Sequence, residues 1–170
     1  MKKTRILLVD DEKIALRNLE HIMKKEGYDV VTTQSGSQAI KMLETSGEYE
    51  FDVVLTDLKM PGMDGMEVLE QSKRLWPDTE VIMVTGYATM DSAIEAVKAG
   101  AYHYVSKPFE LDEVRRVVKK ALEKRVLKLE NRSLREKLAG IKGVNIITED
   151  TDMRKTLSIA KQIAQSDVSV

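Results

Sequence analysis

Short apolar runs alternate with stretches of helical periodicity through the first 110 residues, and few folds accept that alternation. Arg5-Ile6-Leu7-Leu8-Val9 reads as a strand buried on both faces. Ile14, Leu16, Leu19, Ile22 and Met23 then recur at helical spacing, with Gly27 as a stop signal. Tyr28 to Thr33 reads as the second strand, and Ala39, Ile40, Met42 and Leu43 mark a helix ending near Gly47. Phe51 to Thr56 is the third strand, and Met66 to Trp76 a helix closed by Pro77. Glu80 to Val84 is the fourth strand, and Ala93, Ile94, Ala96 and Val97 mark a helix ending at Gly100. Tyr102 to Ser106 is the fifth strand, with a last helix after Pro108. Right-handed crossovers then predict an α/β domain: a five-stranded parallel sheet, order 2-1-3-4-5, with helices on both faces. This is the flavodoxin-like arrangement.

Parallel sheets of this kind place ligands at the carboxyl ends of their strands. Four such ends carry polar chemistry here: Asp10-Asp11, Asp57, Thr85 and Lys107. In the order 2-1-3-4-5 the first and third strands are neighbours, so Asp10, Asp11 and Asp57 converge in one crevice. Each residue alone has a structural reading, an Asp after a strand being a common helix cap. Taken together they read as a site. Clustered carboxylates repel unless a cation neutralises them, and Mg²⁺ is the hard ion that takes one or two carboxylates along with phosphate oxygens. A carboxylate is also a nucleophile toward phosphorus. Lys107 and Thr85 supply the positive charge and the hydroxyl that phosphoryl oxygens need.

The sequence has no cysteine, which excludes disulfide and thiol chemistry and suits the cytoplasm. Neither a signal peptide nor a membrane span is expected. His21 and His103 are isolated and show no metal spacing. The net charge of −1 hides an asymmetry. Residues 1–110 carry 13 basic and 19 acidic side chains, whereas residues 111–142 carry 11 basic and 5 acidic. A mildly acidic domain thus precedes a basic segment, which reads as the solvated face of a helix rather than a nucleic-acid contact.

Neither Gly nor Pro interrupts residues 110–138. Val114, Val117, Val118, Ala121 and Leu122 are expected to pack on the sheet. Beyond them Leu127, Asn131, Leu134, Leu138 and Ile141 follow a heptad seam, with Asn at an a-type position that favours a parallel two-stranded pairing, hence a homodimer. Ala139 to Gly143 is expected to break the helix. Thr148 or Thr151 could cap a further helix carrying Met153, Leu157, Ala160, Ile163 and Ala164. The last 28 residues are too few for a core and read as the start of another domain.

The pieces Ile6 to Glu12, Leu55-Thr56-Asp57-Leu58-Lys59-Met60-Pro61-Gly62-Met63-Asp64-Gly65, Val84-Thr85-Gly86 and Tyr104-Val105-Ser106-Lys107-Pro108-Phe109 resemble the receiver domain of bacterial two-component response regulators. The resemblance implies that Asp57 accepts phosphate from a sensor histidine kinase. It implies that Asp11 and Asp57 ligate Mg²⁺, with Asp10 acting through water and the Lys59 carbonyl completing the site. It further implies that Lys107 pairs with the phosphate, that the Lys107–Pro108 peptide is cis, and that Thr85 and Tyr104 move together as a switch. The long helix and tail resemble NtrC-type activators, in which a receiver is joined to an AAA+ ATPase acting on a sigma factor of RNA polymerase. That resemblance divides the chain into a receiver (1–120), a helical linker (121–142) and the start of an ATPase domain (143–170). Contacts with sigma factor and DNA would then belong to domains outside this chain. No Gly-Xaa4-Gly-Lys-Ser/Thr sequence is present, so neither ATP binding nor hydrolysis is expected of these residues. Two alternatives stand beside this reading: a receiver-like dimerisation module without signalling, and a phosphatase of the haloacid-dehalogenase type. The latter needs an acid two residues after its nucleophile, where this chain has Lys59.

Overall fold

The computed structural model describes residues 3–47, 50–86 and 89–141, with side chains described up to Leu138. Its strands are β1 (Arg5–Val9), β2 (Asp29–Thr33), β3 (Val53–Thr56), β4 (Glu80–Thr85) and β5 (His103–Ser106). Its helices are α1 (Lys13–Lys25), α2 (Gly36–Thr45), α3 (Gly65–Leu75), α4 (Met90–Lys98) and α5 (Leu111–Ile141). The strands are all parallel, in the order β2-β1-β3-β4-β5.

Period-two alternation divides the core between the two faces of the sheet. Ile6 and Leu8 of β1 point to one side, with Val53, Leu55, Ile82 and Val84, against Leu16, Leu19, Ile22 and Met23 of α1 and Val114, Val117, Val118 and Ala121 of α5. Leu7 and Val9 point to the other, with Val54, Val81 and Met83, against Ala39, Ile40 and Leu43 of α2, Val68 and Leu69 of α3, and Ala96 of α4. The inner strands β1, β3 and β4 are mostly apolar because both faces are covered, whereas the edge strands β2 and β5 carry polar, partly exposed residues. A buried Val, Leu, Ile or Met side chain contributes about 1.5–3 kcal/mol, so α1 and α5, with four buried apolar positions each, are firmly held.

Three features of the helices refine the sequence reading. Ile14 leaves the buried stripe of α1 and is 75% exposed. It lies two residues before Leu16, about 200° away around the helix. In α4 only Ala96 is buried, while Ile94 and Val97 are exposed. This helix packs on β5, the edge strand, and half of its apolar stripe has no strand beneath it. Finally, α5 runs through Gly140 to Ile141, its end inside the stretch 139–143 expected to break it, and residues 142 and 143 lie outside the described residues. One glycine costs a helix about 1 kcal/mol and does not by itself end it.

The chain divides into two units, Met1–Arg132 and Ser133–Val170. The described residues of the second are 133–141, all helical. The expected segment 143–170, with its proposed cap and apolar face, lies outside the described residues.

Candidate functional site

The sheet ladder itself carries the site residues to one edge. Beyond the end of β1, the Asp10 N–H donates to the Thr33 carbonyl (3.2 Å). The Asp57 N–H donates to the Val9 carbonyl (2.8 Å), and the Lys107 N–H to the Thr85 carbonyl (2.7 Å). Asp10, Asp57 and Lys107 are therefore each fixed by one further backbone bond past a strand end. Asp10, Asp57 and Thr85 are buried, and Asp11 is exposed.

Lys107 draws the cluster together. Its Nζ lies 2.6 Å from Asp10 Oδ2 and 2.7 Å from Asp57 Oδ2, two charge-assisted hydrogen bonds from one ammonium. Carboxylate oxygens of Asp10, Asp11 and Asp57 lie within 4.8 Å of one another. Asp57 Oδ1 also accepts from the Lys59 N–H (3.2 Å), and Asp10 Oδ1 from the Glu12 N–H (2.9 Å). A solvent-open cavity of about 410 Å³ leads to the cluster, lined by Asp11, Glu12, Asp57, Lys59, Met60, Pro61 and Asp64.

Burial pushes the Asp10 carboxyl above the usual carboxylate range, and the Lys107 ammonium and Glu12 N–H offset this only in part. Burial alone would lower the pKa of Lys107, but its hydrogen bonds to Asp10 and Asp57 outweigh that and hold it above the ordinary lysine value. Three carboxylates around one ammonium leave a local charge of −2 when all are ionised. That donor set is hard, all oxygen, and short of positive charge, which suits a divalent magnesium ion.

Gly65 holds the loop that follows Asp57 in a way that spacing alone does not reveal. It opens α3 after the Asp64 cap, and its N–H donates to the Leu58 carbonyl (2.8 Å). A Cβ there would stand 2.0 Å from the Asp57 carbonyl oxygen and 2.9 Å from Leu58 Cα. Only glycine lets α3 start this close to the Asp57 backbone. A glycine at the first position of a helix, where most residues serve better, is the signal in the sequence.

Thr85 is fully buried, its carbonyl accepting from the Lys107 N–H, and Tyr104 is half-buried. The Tyr104 hydroxyl meets Ser92 Oγ at 2.9 Å. Ser92 completes a capping box with Thr89, the N-cap of α4: its N–H donates to Thr89 Oγ1 (3.1 Å) and its Oγ accepts from the Thr89 N–H (3.2 Å). Ser92 is absent from the sequence-derived set, because nothing local marks it as a neighbour of Tyr104. The Lys107–Pro108 peptide is cis. Leu127, Asn131, Leu134 and Leu138 lie outside this site, exposed on α5.

Comparison with known proteins agrees with this geometry. The family described as "Response regulator receiver domain" matches residues 6–119. The C4-dicarboxylate transport transcriptional regulatory protein DctD of Rhizobium meliloti is 32% identical over 166 residues, 97% of this chain and 35% of that protein. The regulatory protein AtoC of Escherichia coli is 35% identical over 98% of this chain and 36% of its own length. The chain thus spans about a third of the length of these relatives. Among solved structures, a CheY-like receiver domain from Methanospirillum hungatei matches with a TM-score of 0.70 and 31% identity, covering 75% of this chain and 99% of that one. The beryllofluoride-activated NtrC4 receiver domain dimer matches with a TM-score of 0.66 and 34% identity, covering 71% and 98%.

Proposed function

The chain belongs to the response regulator receiver family, with NtrC-type transcriptional regulators as its relatives, and from that premise we propose that Asp57 is the phosphoacceptor of a two-component system. One observation carries the reading: Lys107 bonds both Asp57 and Asp10 at the crevice between β1 and β3, with Asp11 beside them.

An Asp57 carboxylate oxygen attacks the phosphorus of a phosphohistidine on a sensor histidine kinase. The phosphorus–oxygen bond forms as the phosphorus–nitrogen bond breaks, and the imidazole leaves with the electron pair. Asp10, Asp11, Asp57 and the Lys59 carbonyl would hold Mg²⁺. When bound, that ion supplies positive charge to the phosphoryl oxygens. Lys107 keeps its charge through the reaction, because its raised pKa leaves it an ammonium at neutral pH, and it turns from the Asp57 carboxylate to the new phosphoryl group. The Thr85 hydroxyl follows the same group, and Tyr104 moves into the space released.

The chain is read as a phosphoacceptor rather than an enzyme that turns over. Its setting is the cytoplasm, and no helix among the described residues is long and apolar enough to cross a membrane. Residues 1–120 form the receiver, 121–142 a dimerising linker, and 143–170 the start of an AAA+ domain. Action on sigma factor and DNA belongs to parts of the regulator beyond these residues.

Mass spectrometry after treatment with an acyl phosphate and Mg²⁺ tests the assignment. One phosphoryl group should appear on a peptide containing Asp57. It should be absent with chelator or in Asp57→Asn. Labelling that persists in Asp57→Asn, or steady turnover of a phosphate ester, would overturn the reading.

A further inference from the structure

Charge, rather than apolar packing, holds the part of α5 that follows Leu122. The buried stripe Val114, Val118 and Ala121 continues at the same spacing as Arg125, Lys128 and Arg132. Beyond Leu122, Val126 and Leu127 are exposed, and Leu129 is the one apolar side chain partly shielded among the described residues.

The partners lie at the amino-terminal edge of the sheet, away from Asp57. Asp52 immediately precedes β3, Glu80 is the first residue of β4, and Asp78 sits in the turn before it. Arg125 is 6% exposed and bonds Asp52 (2.7 Å) and Glu50. Lys124 reaches Glu80 (3.1 Å), which is buried and also meets Lys73 (3.5 Å). Lys128 pairs with Asp78 (2.9 Å) and donates to the Pro77 carbonyl (3.0 Å); Arg132 pairs with the other Asp78 oxygen. The cations of Lys128 and Arg132 hold the Asp78 carboxyl below the usual carboxylate range despite its burial.

We propose that these ion pairs are a two-stage clamp that fixes the direction in which α5 leaves the receiver. The inner stage is Arg125 with Asp52 and Glu50, buried and little screened by salt. The outer stage is Lys128 and Arg132 on Asp78, whose cationic ends are about half-exposed and so are screened and released first. The clamp extends the rigid receiver from Ala121, where full apolar burial ends, to Arg132. It needs no phosphoryl chemistry and stands whether or not Asp57 is modified.

Amide hydrogen exchange on the full chain tests it, with the sheet amides as an internal control for folding. Lys128→Glu combined with Arg132→Glu should speed exchange at residues 126–132 by roughly tenfold and leave β1, β3 and β4 unchanged. Molar salt should act on the wild-type chain in the same direction. Adding Asp78→Lys to the double variant restores opposite charge across the contact and should recover the protection. Exchange indifferent to both salt and charge reversal would overturn the clamp, as would a loss that Asp78→Lys does not reverse. A chain that clamps normally but fails to take phosphate at Asp57 would refute the phosphoacceptor reading alone.

Discussion

Lys107 bonds two carboxylates with one ammonium, and Asp11 stands beside them as a third negative group. The imbalance has a sign in stability. Because the folded state raises the pKa of Asp10, it favours the neutral carboxyl. Ionising Asp10 therefore costs stability, and that cost grows as pH rises from the ordinary carboxylate range through the raised value, then levels off. Lys107 behaves oppositely: its contribution is complete below the ordinary lysine value and is lost as pH climbs through its raised one. Asp10→Asn should accordingly stabilise the metal-free chain by about 1 kcal/mol at neutral pH and flatten the acid side of the profile. Magnesium should reverse the ranking, since it binds the folded wild-type carboxylates and adds stability by linkage that the variant forgoes. Urea melts across the acidic and neutral range, with and without Mg²⁺, read this directly. An Asp10→Asn chain less stable than wild type without metal would show that the Lys107 bond outweighs the buried charge.

The helices differ in what fastens them, and α4 is the weakest. It buries Ala96 alone, whereas α1 and α5 each bury four apolar side chains, so its order rests on the Thr89–Ser92 capping box. Such a box is worth about 1 kcal/mol. The Tyr104 hydroxyl is tied to the same Ser92 Oγ, so a ring that turns inward gives up a bond to the cap of α4. Ser92→Ala should free Tyr104 and speed amide exchange in the first turn of α4 by several-fold, at little cost to global stability. Thr89→Ala weakens the cap but leaves the tyrosine bond, so the two variants should agree in α4 exchange and differ in the Tyr104 ring resonances. Identical Tyr104 spectra in both would remove the coupling. This element also marks where sequence reading stops. The five strands and their order were legible because the inner strands, covered on both faces, are nearly continuous apolar runs, and turn signals separate all five from the helices. The convergence of Asp10, Asp11, Asp57 and Lys107 was legible because each lies just past a strand, as Thr85 closes one, and topology brings those ends together. Periodicity reports that a helix has an apolar face, not whether a strand lies beneath it, so Ile94 and Val97 mark α4 in the sequence and yet are exposed. Ser92 and Gly65 matter through a tyrosine 12 residues on and a carbonyl across a loop, and neither distance is written in local spacing.

Two stripes run along α5 and face different ways. Arg125, Lys128 and Arg132 turn toward the receiver, while Leu127, Asn131, Leu134 and Leu138 repeat at heptad spacing about 120° around the helix. The three leucines are 65%, 58% and 59% exposed, an apolar row too long to be left in water without a reason. A second copy of the same helix fits it best, since an a-position Asn matches another Asn across a parallel pair and penalises other registers. Because the stripes are separate, pairing through the leucines would leave Arg125, Lys128 and Arg132 free to keep their acidic partners. Light scattering on the full chain should report a dimer, with or without beryllofluoride. Leu134→Lys should shift it toward monomer by at least tenfold in dissociation constant, since a buried charge replaces a seam leucine. If Leu134→Lys leaves the mass unchanged, the seam is not the contact. If it abolishes pairing only without beryllofluoride, receiver surfaces sustain the activated dimer and the helix serves the resting one.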